Sequence, residues 1–420
     1  MDIIKYVNFI KQKMDLIRYI ILKMLDMGMA FVLTLIIVRK LTAYEYGVYS
    51  LVLTILGMLV TFGFSWTSSS LMYFGVDEKL KYGSLNRTFW ARNIILLISY
   101  SVILIMLLVF YPEINEYLTE NVSFYLFGWM TIKVLSDYLS GYFLAIEKRE
   151  LSALVTFTIK LVMIVFLLFS TMTLKKILIL SILAESSFVI WLAKVDKKDF
   201  GRYVFDKKIF KEVLSFGLWQ LFGFSGLYLI NFGDNLVIKH FLTIKDVGIY
   251  NISYQLYSGM AGLSFLFGNY FAPQIVKAIR NKNISKINEI YKKDRFILVL
   301  LLGIPHIIVM LLASKIIICF YGINYIKAIS PLRVLTVASF LSYFAVFNML
   351  TYNSFKKYHI LQLLNIIQAV LNVILDIILV PYFGILGAAY GTVLAYFVVT
   401  ILKTYFAERL LANFKKNIKS

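Results

Sequence analysis

The feature that most limits this chain is a recurring apolar run of about twenty residues, each closed by a short polar or basic segment. A helix of about that length crosses a hydrocarbon core of about 30 Å. Inside a bilayer, only helices and closed barrels satisfy their own backbone groups. A barrel would show alternating segments of about ten residues, whereas these runs are continuously apolar. Hydrophobic residues make up 60% of the chain and charged residues 16%, too few to cover a soluble surface of 420 residues. The expected fold is an all-α polytopic membrane protein with about twelve transmembrane helices. The expected spans are 17–38, 48–73, 93–111, 122–146, 151–170 and 176–194, then 213–238, 247–272, 296–320, 331–353, 359–381 and 384–406.

The net charge of +20 does not call for a nucleic acid, because Lys and Arg collect in the cytoplasmic loops of membrane proteins. With a cytoplasmic N-terminus, basic residues divide about 31 inside to 7 outside. Both termini of this multi-pass protein are therefore expected in the cytoplasm. Residues 1–16 read as an amphipathic cytoplasmic N-terminus without a cleavable signal, and 409–420 as a basic cytoplasmic tail. The basic segment 195–212 divides an N-terminal lobe, 17–194, from a C-terminal lobe, 213–408. Six spans fall on each side.

An internal repeat supports that division. Arg39-Lys40-Leu41-Thr42, with Glu45, Gly47 and Tyr49, recurs as Lys239-His240-Phe241-Leu242-Thr243, with Asp246, Gly248 and Tyr250. Each copy falls between the first two spans of its lobe, and its glycine suits a sharp turn with positive φ. Six is even, so both lobes enter the membrane in the same sense. That relates them by a pseudo-twofold axis along the membrane normal, an arrangement of transporters.

The outer loops are too short for an extracellular catalytic domain. Gly-x-x-x-x-Gly-Lys-Ser/Thr, His-Glu-x-x-His, Cys-x-x-Cys and Gly-x-Ser-x-Gly are all absent, so the sequence suggests no ATPase, metalloprotease, redox or hydrolase site. Cys319 is the single cysteine, and His240, His306 and His359 lie far apart. The expectation is a protein that is not an enzyme, with no cofactor and no metal.

Ionisable residues inside spans are costly and usually face a bundle interior or a wet cavity. Lys23, Lys133 and Lys160 lie in spans 1, 4 and 5. Arg39, at the outer end of span 1, breaks the positive-inside pattern. Together these four suit a basic cavity that holds an anionic substrate. Asp26 and Asp137 follow Lys23 and Lys133 at i+3 and i+4, and each pair can meet on one helix face. Internal neutralisation accounts for such pairs equally well. Asp234 has no cation near it on its own helix except Lys239. Asp26, Asp137 and Asp234 are the candidates for ion or proton coupling. Glu185 and Asp376 suggest no specific role. Tyr250 and Tyr254, at i and i+4, suit a sugar ring, although polar stripes also serve helix contacts in lipid.

The last third resembles a known family. Phe320-Tyr321-Gly322-Ile323-Asn324-Tyr325 is similar to a stretch of polysaccharide exporters. Leu371-Asn372 to Leu375-Asp376, Pro381, Gly384 and Gly387-Ala388-Ala389, followed by Thr392, resemble their LN-x-x-LN-x-x-LIP-x-x-G-x-x-GAA-x-x-T stretch. Val38-Arg39 to Tyr49 and Asp234-Asn235 add to the likeness. This is the polysaccharide transport group of the multidrug/oligosaccharidyl-lipid/polysaccharide exporter superfamily. The resemblance implies a flippase of a bacterial inner (plasma) membrane that moves undecaprenyl-pyrophosphate-linked oligosaccharide, for O-antigen or capsule, by ion- or proton-coupled alternating access. The pathway's polymerase and chain-length regulator become candidate partners. Asp376 stands where the family usually has Asn. The alternatives are a drug or organic-cation exporter of the same superfamily and a membrane enzyme of glycan assembly such as a polymerase.

Overall fold

The computed structural model describes residues 2–118, 121–146, 148–169, 173–199 and 201–419; the side chains of residues 2–17, of Lys23 and of a few others lie outside the description. All regular structure among the described residues is helical. In the N-terminal part the long helices are α1 (Asp2–Lys40), α2 (Ala43–Gly63), α3 (Asn86–Val109), α4 (Ser123–Ala145), α5 (Arg149–Phe169) and α6 (Leu174–Ser186). The last of these runs on as a 3₁₀ turn, Ser187–Lys194. In the C-terminal part they are α7 (Lys207–Phe241), α8 (Ile244–Arg280), α9 (Arg295–Tyr321), α10 (Ile329–Ser354), α11 (Tyr358–Phe383) and α12 (Ile385–Lys419).

Among the described residues, eight helical stretches are long and apolar enough to cross a membrane: those of α2, α3, α5, α6 with its extension, and α9 to α12. Reading the broken helix α7 as one span makes nine. The others of span length are α1, α4 and α8. The physical reason is composition. Charged and hydrogen-bonding side chains concentrate in these helices, among them Asp26, Lys133, Asp137 and the Tyr250–Tyr254–Gln255 stripe. Such groups are tolerated in lipid only when they face protein or a wet cavity. The outer faces of the apolar helices expose residues such as Phe169 and Leu311, 86% and 73% accessible, as lipid contact requires.

The chain forms two compact units, Met1–Phe224 and Ser225–Ser420. The basic segment is fastened to the first unit. Trp90 Nε1 donates to the Arg202 carbonyl at 3.0 Å, and Arg87 pairs with Asp206 at 3.3 Å. Asp206 also caps α7, accepting from the Lys208 and Ile209 amides at 2.9 and 3.2 Å. Val213 then joins Trp66, Ala91 and Ile95 in a core cluster. At Gly217 an added Cβ would stand 2.6 Å from the Trp66 ring, so glycine permits that approach. In the second unit α11 packs along α12, and α10 against both α8 and α12.

The repeated motif is a helix–helix turn in both copies, but threonine rather than glycine makes it. Thr42 caps α2 in a capping box with Glu45, and Thr243 caps α8 in the same way with Asp246. Each threonine hydroxyl accepts from the amide three residues on, and each acid accepts from the threonine amide. Gly47 and Gly248 lie buried in the first turns of the helices that follow. Positive φ among the glycines occurs instead at Gly83, Gly322 and Gly384. Gly384, at φ +61 and ψ −144, separates α11 from α12. Beyond it Gly387 lies against the Leu379 carbonyl, and Ala388 and Ala389 are fully buried. Pro381, expected to end span 11, sits inside the last turn of α11.

The backbone at Gly384 is open to glycine alone, so Gly384→Ala should lower stability by about 1–3 kcal/mol. Gly259→Ala lies inside α8 with nothing within 4 Å of the new methyl and should be neutral or stabilising. Thermal unfolding of the detergent-solubilised protein checks both; equal effects would contradict the assignment.

Candidate functional site

The second unit holds a buried polar cluster built from α7, α8, α11 and α12. Asp234 and Asp376 are 1% and 0% accessible, and their carboxyl groups are in hydrogen-bond contact. Asn372 lies one turn before Asp376 on α11. Its Nδ2 donates to both carboxyls, at 3.1 Å to Asp234 Oδ1 and 2.9 Å to Asp376 Oδ2. Thr392 Oγ1 donates to Asp234 Oδ2 at 2.9 Å, and Tyr250 also donates its hydroxyl to Asp234. Neither acid forms an ion pair with a Lys or Arg among the described residues. Asp376 Oδ1 receives no hydrogen bond from a neighbouring donor. It lies against Gly391, where any Cβ would collide with it.

Two carboxyl groups in contact cannot both be ionised without a counter-charge. The cluster must therefore take up one positive charge, as a proton or as a small cation. The atoms that could hold it are oxygens: the two carboxyls, the Asn372 amide oxygen and the Thr392 hydroxyl. Hard cations favour such ligands. No group of three or more His, Cys, Asp or Glu side chains able to hold a metal occurs among the described residues. The set therefore suits a proton or a monovalent ion better than a divalent one.

The first unit carries its charges as cross-helix pairs. Lys160 on α5 reaches Asp26 on α1, with Nζ 2.6 Å from Oδ1 and 3.2 Å from the backbone carbonyl. Lys133 on α4 pairs with Asp137 one turn on at 2.8 Å and with Glu185 on α6 at 3.4 Å. Ser136 also donates to Glu185. Lys133 is thus outnumbered by two carboxylates. Two other buried cations have neutral partners. Arg92 donates to Thr67 and Ser68 at 3.2 and 3.4 Å. Lys403 donates to Asn365 and Gln368 at 2.8 and 2.9 Å.

Of the residues singled out in the sequence, the structure brings Tyr250 and Asp234 together. It places Tyr254 beside them, its hydroxyl 3.0 Å from Asn231 Oδ1. Asp26 meets Lys160, and Asp137 meets Lys133. Arg39 sits exposed at the end of α1. The side chain of Lys23, expected to face Asp26, lies outside the described residues. His306 is an interior histidine, with Nδ1 2.7 Å from the Leu302 carbonyl, its ring edge-on to Phe340 and its Nε2 without a hydrogen-bond partner. Sequence reasoning missed the roles of Asp376, Asn372, Thr392, Arg92 and Lys403. One signal was available: Asn372 and Asp376 stand at i and i+4, hence on one helix face.

Comparison with known proteins adds three findings. A family model described as polysaccharide biosynthesis protein matches residues 14–269. Among curated proteins, the chain is 25% identical over 241 residues to an uncharacterised membrane protein of Methanocaldococcus jannaschii. That match covers 55% of this chain and spans about half of the relative, 47% of its length. The chain is also 24% identical over 415 residues to the probable low-salt glycan biosynthesis flippase Agl15 of Haloferax volcanii, covering 94% of this chain and 83% of that protein. Among solved structures, an inward-facing multidrug resistance transporter of the MATE family in the MOP superfamily superposes with TM-score 0.71 at 16% identity, covering 93% of this chain and 96% of the other. The lipid II flippase MurJ, inward closed, matches with the same score and identity over 96% and 90%. These structural likenesses show the fold, that of two-lobe transporters.

The pair of Lys160 and Asp26 gives a direct test. Lys160→Met strands the Asp26 carboxylate and should cost roughly 3 kcal/mol. Adding Asp26→Asn should restore part of that loss. Unfolding of both variants in detergent checks this; a double variant weaker than the single one would contradict it.

Proposed function

Because the chain belongs to the polysaccharide biosynthesis protein family, whose model spans residues 14–269, we propose that it is a flippase for lipid-linked oligosaccharide. The family match carries the reading, and the two-lobe transporter fold supports it. The substrate is a glycan on a polyprenyl phosphate or pyrophosphate, with undecaprenyl pyrophosphate and an O-antigen or capsule repeat unit as the specific expectation. Such a head group cannot cross lipid unaided, since burying charge and hydroxyls without partners costs many kcal/mol. Alternating access moves the head group through protein while the carrier chain stays in the bilayer. The protein works in the plasma membrane with both termini in the cytoplasm.

Coupling is assigned to Asp234 and Asp376. A cluster that must hold one positive charge binds a proton or cation on one side and releases it on the other. One elementary charge moving through 100 mV supplies about 2.3 kcal/mol, enough to bias the direction of a cycle. Asn372, Thr392 and Tyr250 position the two carboxyls. Lys23, Arg39, Lys133 and Lys160 are the proposed contributors to the anionic head-group site, and Tyr254 the proposed sugar contact. Lys133 and Lys160 would have to exchange their carboxylate partners for the substrate phosphate. Asp26 and Asp137 therefore act as internal competitors of the substrate.

One observation favours a second reading, an exporter of organic cations: Lys133 faces two carboxylates, Asp137 and Glu185. A proteoliposome assay separates the two readings. Wild-type protein should move a fluorescent lipid-linked oligosaccharide to the far leaflet, faster under an imposed ion gradient. Asp234→Asn and Asp376→Asn should each lose gradient-driven acceleration by about tenfold, equivalent to ~1.4 kcal/mol of barrier. Movement of an organic cation without movement of the lipid-linked glycan would overturn the flippase reading.

A further inference from the structure

The first unit carries a groove of about 540 Å³ on one flank, walled by α3, α4 and the 3₁₀ turn after α6. Its rim is apolar and open: Leu97, Leu135 and Leu192 are 68%, 50% and 48% accessible. In a membrane-spanning unit, an open apolar rim faces hydrocarbon. The groove is therefore shaped to take a single chain from the bilayer.

One end of the groove is basic. Val195 lines it, and the neighbouring Lys194 places Nζ 4.9 Å from the Trp191 ring centroid. Behind the wall stands Arg92, six residues into α3 and so about 9 Å along the helix from its first residue. Its guanidinium lies 4.2 Å from the ring centroid of Tyr138, a residue that lines the groove. Asn93 beside it lines the groove directly. Arg92 is 3% accessible, its partners are the Thr67 and Ser68 hydroxyls, and Nη1 has no hydrogen-bond partner. A buried cation with no carboxylate at salt-bridge distance, Asp137 acting on it only from farther off, is expensive at membrane depth and marks a functional position. Basic pockets between transmembrane helices are where anionic lipid head groups bind.

We propose that this groove binds the carrier lipid itself. The first isoprene units of a polyprenyl phosphate lie along α3 and α4, and the phosphate sits at the Arg92–Asn93–Lys194 end. The assignment rests on the lipid-linked substrate proposed above. A groove with one channel and one basic end suits an anionic lipid with one chain better than a two-chain phospholipid. Six of its fourteen lining residues are aromatic, and their faces suit the methyl-branched, unsaturated isoprenoid. The carrier chain is then docked on the first unit while the head group is transferred, instead of drifting in the annulus.

The test uses the full-length protein in nanodiscs and a sugar-free polyprenyl monophosphate as probe, with retention read by native mass spectrometry. Wild type should retain one probe molecule, and uncharged polyprenol should bind about tenfold more weakly. Leu135→Trp and Leu97→Trp fill the groove at lipid-facing positions where tryptophan does not disturb the core, and each should weaken retention about tenfold. Unchanged retention in both variants, equal displacement by phosphatidylglycerol, or no retention by wild type would overturn the groove. Transport is scored separately. Carrier bound but no glycan moved would remove the flippase reading and leave the groove. Glycan moved with full probe retention in both tryptophan variants would do the reverse.

Discussion

The structure turns on one contact, the Asn372 side-chain amide shared between two buried carboxyls. Carbon side chains could fill the same space, and a lysine could neutralise it. Instead α7, α11 and α12 converge on oxygens that lack a matching cation among the described residues. Such a cluster is stable only with a proton or an ion bound, so the second unit has an intrinsic need for a mobile positive charge. Thr392 and Tyr250 fix the geometry, and Gly391 leaves room for Asp376 Oδ1.

The first unit solves the same problem differently. Its intramembrane charges meet across helices, Lys160 to Asp26 and Lys133 to Glu185. The Lys160–Asp26 pair is compensated in place, and Arg92, acting electrostatically on Asp137, helps offset the second carboxylate at Lys133. An anionic substrate could bind there only by competing with a carboxylate, which would couple binding to rearrangement. In the proposed function, one unit exchanges ions and the other exchanges salt bridges. In the proposed cycle the first process drives and the second responds.

Much of the fold was legible in run length alone, because lipid imposes a minimum helix length and a composition. Two of the long helices that fall outside the apolar test, α1 and α4, carry Asp26, Lys133 and Asp137, which sequence reasoning flagged as costly. The repeat was legible too, but its mechanism was misassigned. Thr42 with Glu45 and Thr243 with Asp246 have the capping-box spacing, and Gly47 and Gly248 drew attention away from it. The site was only half legible. Asp234 stood out because it lacked a local cation. Asp376 did not, since its meaning comes from a partner on a distant helix. Arg92 was hidden because it reads as a loop-side basic residue and Lys403 because it falls near the end of the last expected span, although both are buried.

The central claim is that Asp234 and Asp376 together hold one positive charge. Infrared difference spectroscopy of the purified protein, in a neutral buffer free of sodium and potassium, tests it most directly. Wild type should show the absorption of a protonated carboxyl group, and Asp376→Asn should lose it. Absence of that band in wild type, or its persistence in both Asp376→Asn and Asp234→Asn, would contradict the account.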